Sequence, residues 1–301
     1  MKSRPTCIHL KTKVLQAPAI AVALALILGI NTQAFGQAPG PGVGSNFEID
    51  GNLHSESSIL DDWLAGAGGG VLNSAGIPFD STLTFHVIDL TGNSDLDVFA
   101  QSDKVFHDPN TYNWKTGSVP QKDDINNGLF HLRFAGNGDL WGIMSGDRRA
   151  VNGDSYIDFE LLQNSLFKNT DGSFTSLGPD GGRTIGDILL TIEFTRGGSA
   201  ASFFVQFWDS IPGTNPLEFT YFDTTVSANQ AFVSANTDSS VSVPYGAFGS
   251  TLYQVNAFGE AAINISQVIP SADSCFGIAT IFIRTKSSQS TTAQLKDMIE
   301  P

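Results

Sequence analysis

The chain has 301 residues, with 16 Lys+Arg against 30 Asp+Glu, a formal net charge of −14 and only two cysteines. That acidity argues against nucleic acid or an anionic membrane as a partner, and it permits cations, calcium in particular. Cys7 lies in an N-terminal leader, so Cys275 stands alone in the mature chain; no internal disulfide is expected and the fold must rest on its core.

Residues 1–36 read as a secretory signal peptide. Lys2, Arg4, Lys11 and Lys13 precede an apolar run from Ala19 to Ile30. Ala34-Phe35-Gly36 suits cleavage after Gly36, with Thr32-Gln33-Ala34 as the alternative. The run is shorter than the ~20 residues a membrane span needs. Cleavage removes four basic and no acidic residues, so the mature charge is 12 − 30, or −18. The expected location is secreted or at the cell surface, with no transmembrane segment after cleavage. Residues 37–46 form a Pro/Gly linker, and 47–301 are expected to make a single β-sandwich domain.

Residues 47–53 read as a short strand ending in a turn, 66–70 as a Gly-rich surface loop and 82–90 as an alternating strand. Residues 91–119 are loop-like. Over 122–133, Ile125, Leu129 and Leu132 share one helical face, and Pro120 with Asp123 and Asp124 suits a helix start. Residues 139–163 read as a central hairpin across a polar loop ending in Asn152-Gly153-Asp154. In its second arm Ile157, Phe159 and Leu161 alternate with Tyr156, Asp158 and Glu160. A second hairpin joins 185–195 to 201–209 across Arg196-Gly197-Gly198, apolar on both faces and therefore central. Shorter strands are expected at 217–222, 231–233 and 240–243. A last strand at 277–286 precedes a polar tail. Cys275 reads as a small buried hydrophobe rather than a reactive thiol. Many short strands and abundant glycine point to an all-β, antiparallel two-sheet sandwich, jelly-roll-like, with one or two short helices.

Several strings occur in one order: FEIDGNL and DDW at 47–63, SDKVFHDPNTYNWKTGSVPQKDDI at 102–125 and RRAVNGDSYIDFELLQN at 148–164. TIGDILLTIEFTRGG at 184–198, FGEAAINIS at 258–266 and IRTKSSQSTTAQLKDMIEP at 283–301 complete the set. Together the chain resembles a family of secreted bacterial surface proteins of largely uncharacterised function, whose members often carry this region ahead of immunoglobulin-like or prealbumin-like repeats. The resemblance implies a surface-associated β domain and carries no catalytic residues over. The chain stops at Pro301, where relatives continue into repeats, so repeat-based attachment is expected to be absent here or lost by truncation. Ile49-Asp50-Gly51 followed by Trp63 is also similar to the opening of carbohydrate-binding sandwich modules of the ninth family.

The candidate sites follow from residue chemistry. Asp95, Asp97, Asp103, Asp108, Asn152 and Asp154 offer oxygen ligands for calcium, without the spacing of an EF-hand; solvated turn carboxylates are the alternative. Trp114 and Trp141 are candidate sugar-stacking rings, with Trp114 in the more polar setting, whereas Trp208 reads as core. Asp158 and Glu160 share one strand face, a ligand-binding candidate with Arg148 nearby. As a pair they could serve glycoside hydrolysis, or stand solvent-facing or paired with Arg148 or Arg149. No zinc, phosphate-loop or hydrolase-elbow motif is present. The expected function is a non-catalytic binding or adhesion module for a glycan or surface protein. A purely structural surface domain is the alternative, and a glycan-active enzyme the third possibility.

Overall fold

The alternation in the 155–162 segment builds one strand of a large sheet, with Ile157, Phe159 and Leu161 entering the core. The computed structural model describes residues 46–100, 102–196, 200–269 and 277–301. The leader, nearly all of the linker, Cys275 and the glycines of the 196–198 turn lie outside the described residues.

In chain order the strands are β1 (Asp61–Leu64), β2 (Gly69–Leu72), β3 (Thr84–Ile88), β4 (Asp95–Phe99), β5 (Trp114–Gly117), β6 (Asn127–Phe134), β7 (Leu140–Asp147) and β8 (Ser155–Leu162). They continue with β9 (Leu166–Lys168), β10 (Phe174–Ser176), β11 (Ile188–Thr195), β12 (Ala200–Ser210), β13 (Phe219–Thr224) and β14 (Ala231–Ala235). The last are β15 (Ser242–Ala247), β16 (Ser250–Leu252), β17 (Phe258–Asn264), β18 (Thr280–Lys286) and β19 (Leu295–Met298). One four-residue helix, α1 (Ile265–Val268), and two 3-10 turns complete the described elements.

Two antiparallel sheets form the sandwich. The larger has the order β13-β12-β11-β8-β18-β19-β4-β5, the smaller β14-β17-β7-β6-β3. Within the first, β18-β8-β11-β12 is the spatial order of a Greek key. Phe130, Met144 and Ile263 of the smaller sheet meet Phe159, Ile192 and Ile283 of the larger in the inner core. Glycines let the sheets approach: a Cβ on Gly259 would stand 2.6 Å from the Phe194 ring.

Both outer faces are covered as well. Residues 47–72 and 241–257 pack Phe47, Trp63, Val243 and Tyr253 over the smaller sheet. Residues 102–112, β9, β10 and the segment before β19 pack Val105, Tyr112, Phe174 and Ala293 with Phe99, Leu189, Phe282 and Leu295 of the larger one. Glu260 fastens the first cover, accepting from Asp50 N at 2.8 Å, Gly51 N at 2.7 Å and Trp63 Nε1 at 3.0 Å.

The all-β sandwich and the pairing of 185–195 with 201–209 are as expected; the register sets Ile192 opposite Phe203. Other elements differ. The 139–163 pair is not a hairpin: β7 pairs with β6 and β17, β8 with β11 and β18, and the loop crosses between sheets. Arg148 supports that crossing, donating to the carbonyls of Asn256, Val151 and Gly153 while lying 4.1 Å from the Phe194 ring centre. Much of the expected helix at 122–133 is β6. Both faces of that strand are covered, so its apolar residues also satisfy helical spacing. The expected loop at 91–119 holds β4 and β5, and the polar tail holds β19. Residues 47–53 are no strand but lie beside β1 through isolated bridges.

Gly259→Ala overpacks the inner core and is expected to cost about 1–3 kcal/mol, read as a lower denaturant midpoint with an unchanged slope. An unchanged midpoint would mean that the sheets separate more easily than this packing implies.

Candidate functional site

Two groups of charged side chains and one groove stand out. The first group centres on Asp158 and Glu160 of β8, which face the covered side of the larger sheet and are fully buried. Glu160 Oε1 accepts from Arg183 Nε at 2.5 Å and from the Tyr221 hydroxyl, and Oε2 accepts from Arg284 Nη1. Arg183 also donates to the carbonyls of His107 (2.8 Å) and Val105 (2.9 Å) and to the Tyr112 hydroxyl (3.0 Å). Lys286 Nζ stands 2.7 Å from Asp158 Oδ1, and the Thr191 hydroxyl donates to that oxygen at 2.6 Å. Burial alone would raise the Glu160 carboxyl, but Arg183 and Arg284 outweigh it and hold it at about 2.

This arrangement corrects the expectation for the pair. The two carboxylates do share a face, but neither meets solvent, and their bases are Arg183, Arg284 and Lys286 rather than Arg148 or Arg149. Arg148 is itself buried in the sheet crossing, where burial lowers it to about 10. It cannot present its guanidinium to a ligand. Trp141 is 3% exposed and packs beside Phe232, so it offers no stacking surface. Trp114 is half-buried: its Nε1 donates to Asn169 O at 2.8 Å, and Lys168 Nζ lies 4.2 Å from its ring centre. It pins the β9–β10 turn against β5. Trp208 is core, as expected.

The second group is acidic, and among the described residues only Arg149, at its margin, pairs with one of its members, Asp124. Asp89 follows β3, Asp95 opens β4 and Asp297 lies in β19; one carboxylate oxygen from each lies within 4.8 Å of the others. Asp124 stands beside them, near enough to act electrostatically on Asp89. All four are buried. Burial, reinforced by the charge of Asp95, pushes Asp89 up to about 8, and burial raises Asp95, Asp124 and Asp297 too.

Of the six expected cation ligands, only Asp95 belongs to this group. Asp97 is paired with Lys168, Asp103 accepts from Asn113 N at 3.2 Å, and Asp108 caps the 3-10 turn at Pro109–Thr111. Asn152 and Asp154 are exposed in the sheet crossing, where the Asp154 carbonyl accepts from Lys122 Nζ. Asp89, Asp124 and Asp297 were not legible as ligands. They lie in a strand end, an expected helix start and an expected tail.

The groove, about 710 Å³, lies where residues 106–111, 208–220 and 291–292 meet. Half-exposed Phe219 stacks on Trp208 at 6.1 Å and 15°. Phe106, Asp108, Thr111, Glu218 and Thr292 stand around it. The groove floor is continuous with the buried network, since Arg183 lies 4.6 Å from the Trp208 ring centre. No family model, curated protein or solved structure matches the chain.

Glu160→Gln leaves Arg183 and Arg284 buried around a neutral amide and is expected to cost about 3–5 kcal/mol at pH 7. The Glu160 pKa is about 2 in the fold against an ordinary 4.5. The wild-type advantage is therefore full above about pH 5 and declines as pH falls toward 2. Denaturant titrations of both proteins at pH 7 and pH 3 check this; an equal gap at the two values would refute the ion-pair account.

Proposed function

We propose that the chain is an exported, non-catalytic β-sandwich module that binds a neutral or weakly polar glycan at a surface. The observation that carries this reading is the contrast between the two places where a sugar could meet this protein. The carboxylates suited by type to glycoside hydrolysis are enclosed beneath residues 103–112, each committed to buried bases, and offer no room for a glycosidic bond and a water. The open groove instead offers a ring face at Phe219 with hydroxyl and carboxylate groups around it. That mixture suits a ligand with apolar C–H faces and a rim of hydroxyls. The chain's negative charge disfavours anionic ligands there. The basic and apolar leader and the surface-protein resemblance support export.

The structural alternative has one observation in its favour. The β13 edge pairs only with β12 among the described strands, and Phe222 on it is 41% exposed. Such an edge could take a strand from another copy.

Binding of the purified protein to a broad panel of neutral glycans tests the first reading. Phe219→Ala is expected to weaken binding at least tenfold. Trp114→Ala should lower the melting temperature but leave affinity unchanged. Absence of binding across the panel, together with concentration-dependent self-association, would transfer the assignment to the structural reading.

A further inference from the structure

We infer that Asp89, Asp95 and Asp297, with Asp124 beside them, form a binding site for one divalent cation of calcium's size. The inference does not depend on the groove or on any glycan.

The argument begins with which oxygens are already engaged. Asp89 Oδ1 accepts from Leu90 N at 2.7 Å, Asp95 Oδ1 from Asp97 N at 2.8 Å and Asp297 Oδ2 from Ile125 N at 2.9 Å. Asp124 Oδ2 accepts from Arg149 Nη1 at 3.1 Å. Each carboxylate is thus oriented through one oxygen. The other oxygen of each, Asp89 Oδ2, Asp95 Oδ2, Asp297 Oδ1 and Asp124 Oδ1, is buried and meets no donor among the described residues, while Asp95 and Asp297 stand close enough to share a proton when no cation is bound. Asp95 and Asp297 are 0% exposed, Asp124 1% and Asp89 6%. An unsatisfied buried carboxylate oxygen is costly, and four together cannot be a by-product of solvation, since none is solvated.

The contrast with Glu160 sharpens the point. Glu160 is buried as deeply and is answered by two arginines, and Asp158 by a lysine. At the acidic cluster, among the described residues, Arg149 answers only one oxygen of Asp124, and Lys168 is paired with Asp97. The remaining charge calls for a cation from outside the chain.

Ligand type and spacing select the ion. The donors are all carboxylate oxygens with no nitrogen or sulfur, which suits hard cations rather than zinc or copper. Oxygens within 4.8 Å of one another fit around one Ca²⁺, whose Ca–O distances of about 2.3–2.6 Å place opposite ligands roughly 4.6–5.2 Å apart. Mg²⁺, with shorter bonds of about 2.0–2.1 Å and a strict octahedron, would draw the ligands closer.

The test uses the full purified chain, first stripped with chelator. Calorimetric titration with CaCl₂, and TbCl₃ luminescence excited through aromatic side chains, are expected to report one saturable site, with MgCl₂ competing weakly. Calcium should raise the melting temperature by several degrees. Asp89→Asn and Asp95→Asn should each weaken calcium binding at least tenfold. In chelator, with like charge relieved, these variants should melt no lower than the wild type. A melting temperature identical in calcium and chelator, with no saturable binding up to millimolar CaCl₂, would mean that the cluster holds protons instead and would overturn the site. Stoichiometric binding unaffected by Asp89→Asn and by Asp95→Asn would overturn it equally, by placing the ion elsewhere. The wild-type titration shows whether an ion binds and either variant alone places it, with Asp297→Asn in reserve, so one variant that fails to fold leaves the test decisive.

Discussion

The larger sheet carries its cover through one carboxylate. Glu160 projects from the middle strand, β8, and draws together Arg183 from the segment before β11, Arg284 from β18 and Tyr221 from β13. Arg183 then reaches the carbonyls of Val105 and His107, so the long excursion between β4 and β5 is tied to the sheet by charge-assisted hydrogen bonds. Backbone hydrogen bonds from Val105 N to Ala293 O and from Leu295 N to Asp103 O hold its other side. The aromatic layer of Phe99, Tyr112, Phe174 and Phe282 closes around the ions and keeps water out. Such a network is a weak source of net stability, because desolvation offsets much of the attraction. Its value is geometric: Arg183 fixes where the cover sits by meeting Glu160 and the carbonyls of Val105 and His107 at once.

The protein buries carboxylates in three chemically different ways. Glu160 is neutralised by arginine. Glu260 is held by two backbone N–H groups and an indole, with burial and then the neighbouring Asp50 charge raising its pKa well above the ordinary range. The Asp89 group has each carboxylate aimed by a single donor and left open on its other side. The first two solutions fasten the covers on opposite faces of the sandwich; the third lies among β3, β4, β19 and the turn before β6, where both sheets contribute.

Much of the fold was legible because alternation survives where one face differs from the other. The 155–162 and 185–209 segments are strands by that criterion, and they are strands in the structure. The criterion fails where both faces are covered: Leu129 and Leu132 fit a helix as well as a strand, and Phe258–Asn264, short of large side chains and bearing Glu260, carries no periodic signal. It also fails where acids point inward, so that Asp95-Leu96-Asp97-Val98-Phe99 reads as a loop. Partner choice was not legible at all for β7 and β8, since an apolar arm does not specify which sheet it joins. The same limit applies to the site. Asp95 was visible as a ligand type, whereas its companions are brought to it by topology and have no local spacing to reveal them.

Strand order has a kinetic consequence. β19 is not at an edge of the larger sheet but lies between β18 and β4, and in that sheet's hydrogen-bonded ladder β4 with β5 joins the other described strands through it. The β4–β5 pair, made early in the chain and met sooner by the β9–β10 turn, therefore joins that ladder only through a strand that begins at Leu295, long after β5 ends at Gly117. Closing contacts of such wide sequence separation is slow and comes late on the folding route. Interactions formed only after that closure are absent from the transition state, so they slow unfolding rather than hasten folding. Once seated, the strand acts as a keystone of the sheet, and the contacts it completes are expected to lengthen the folded lifetime.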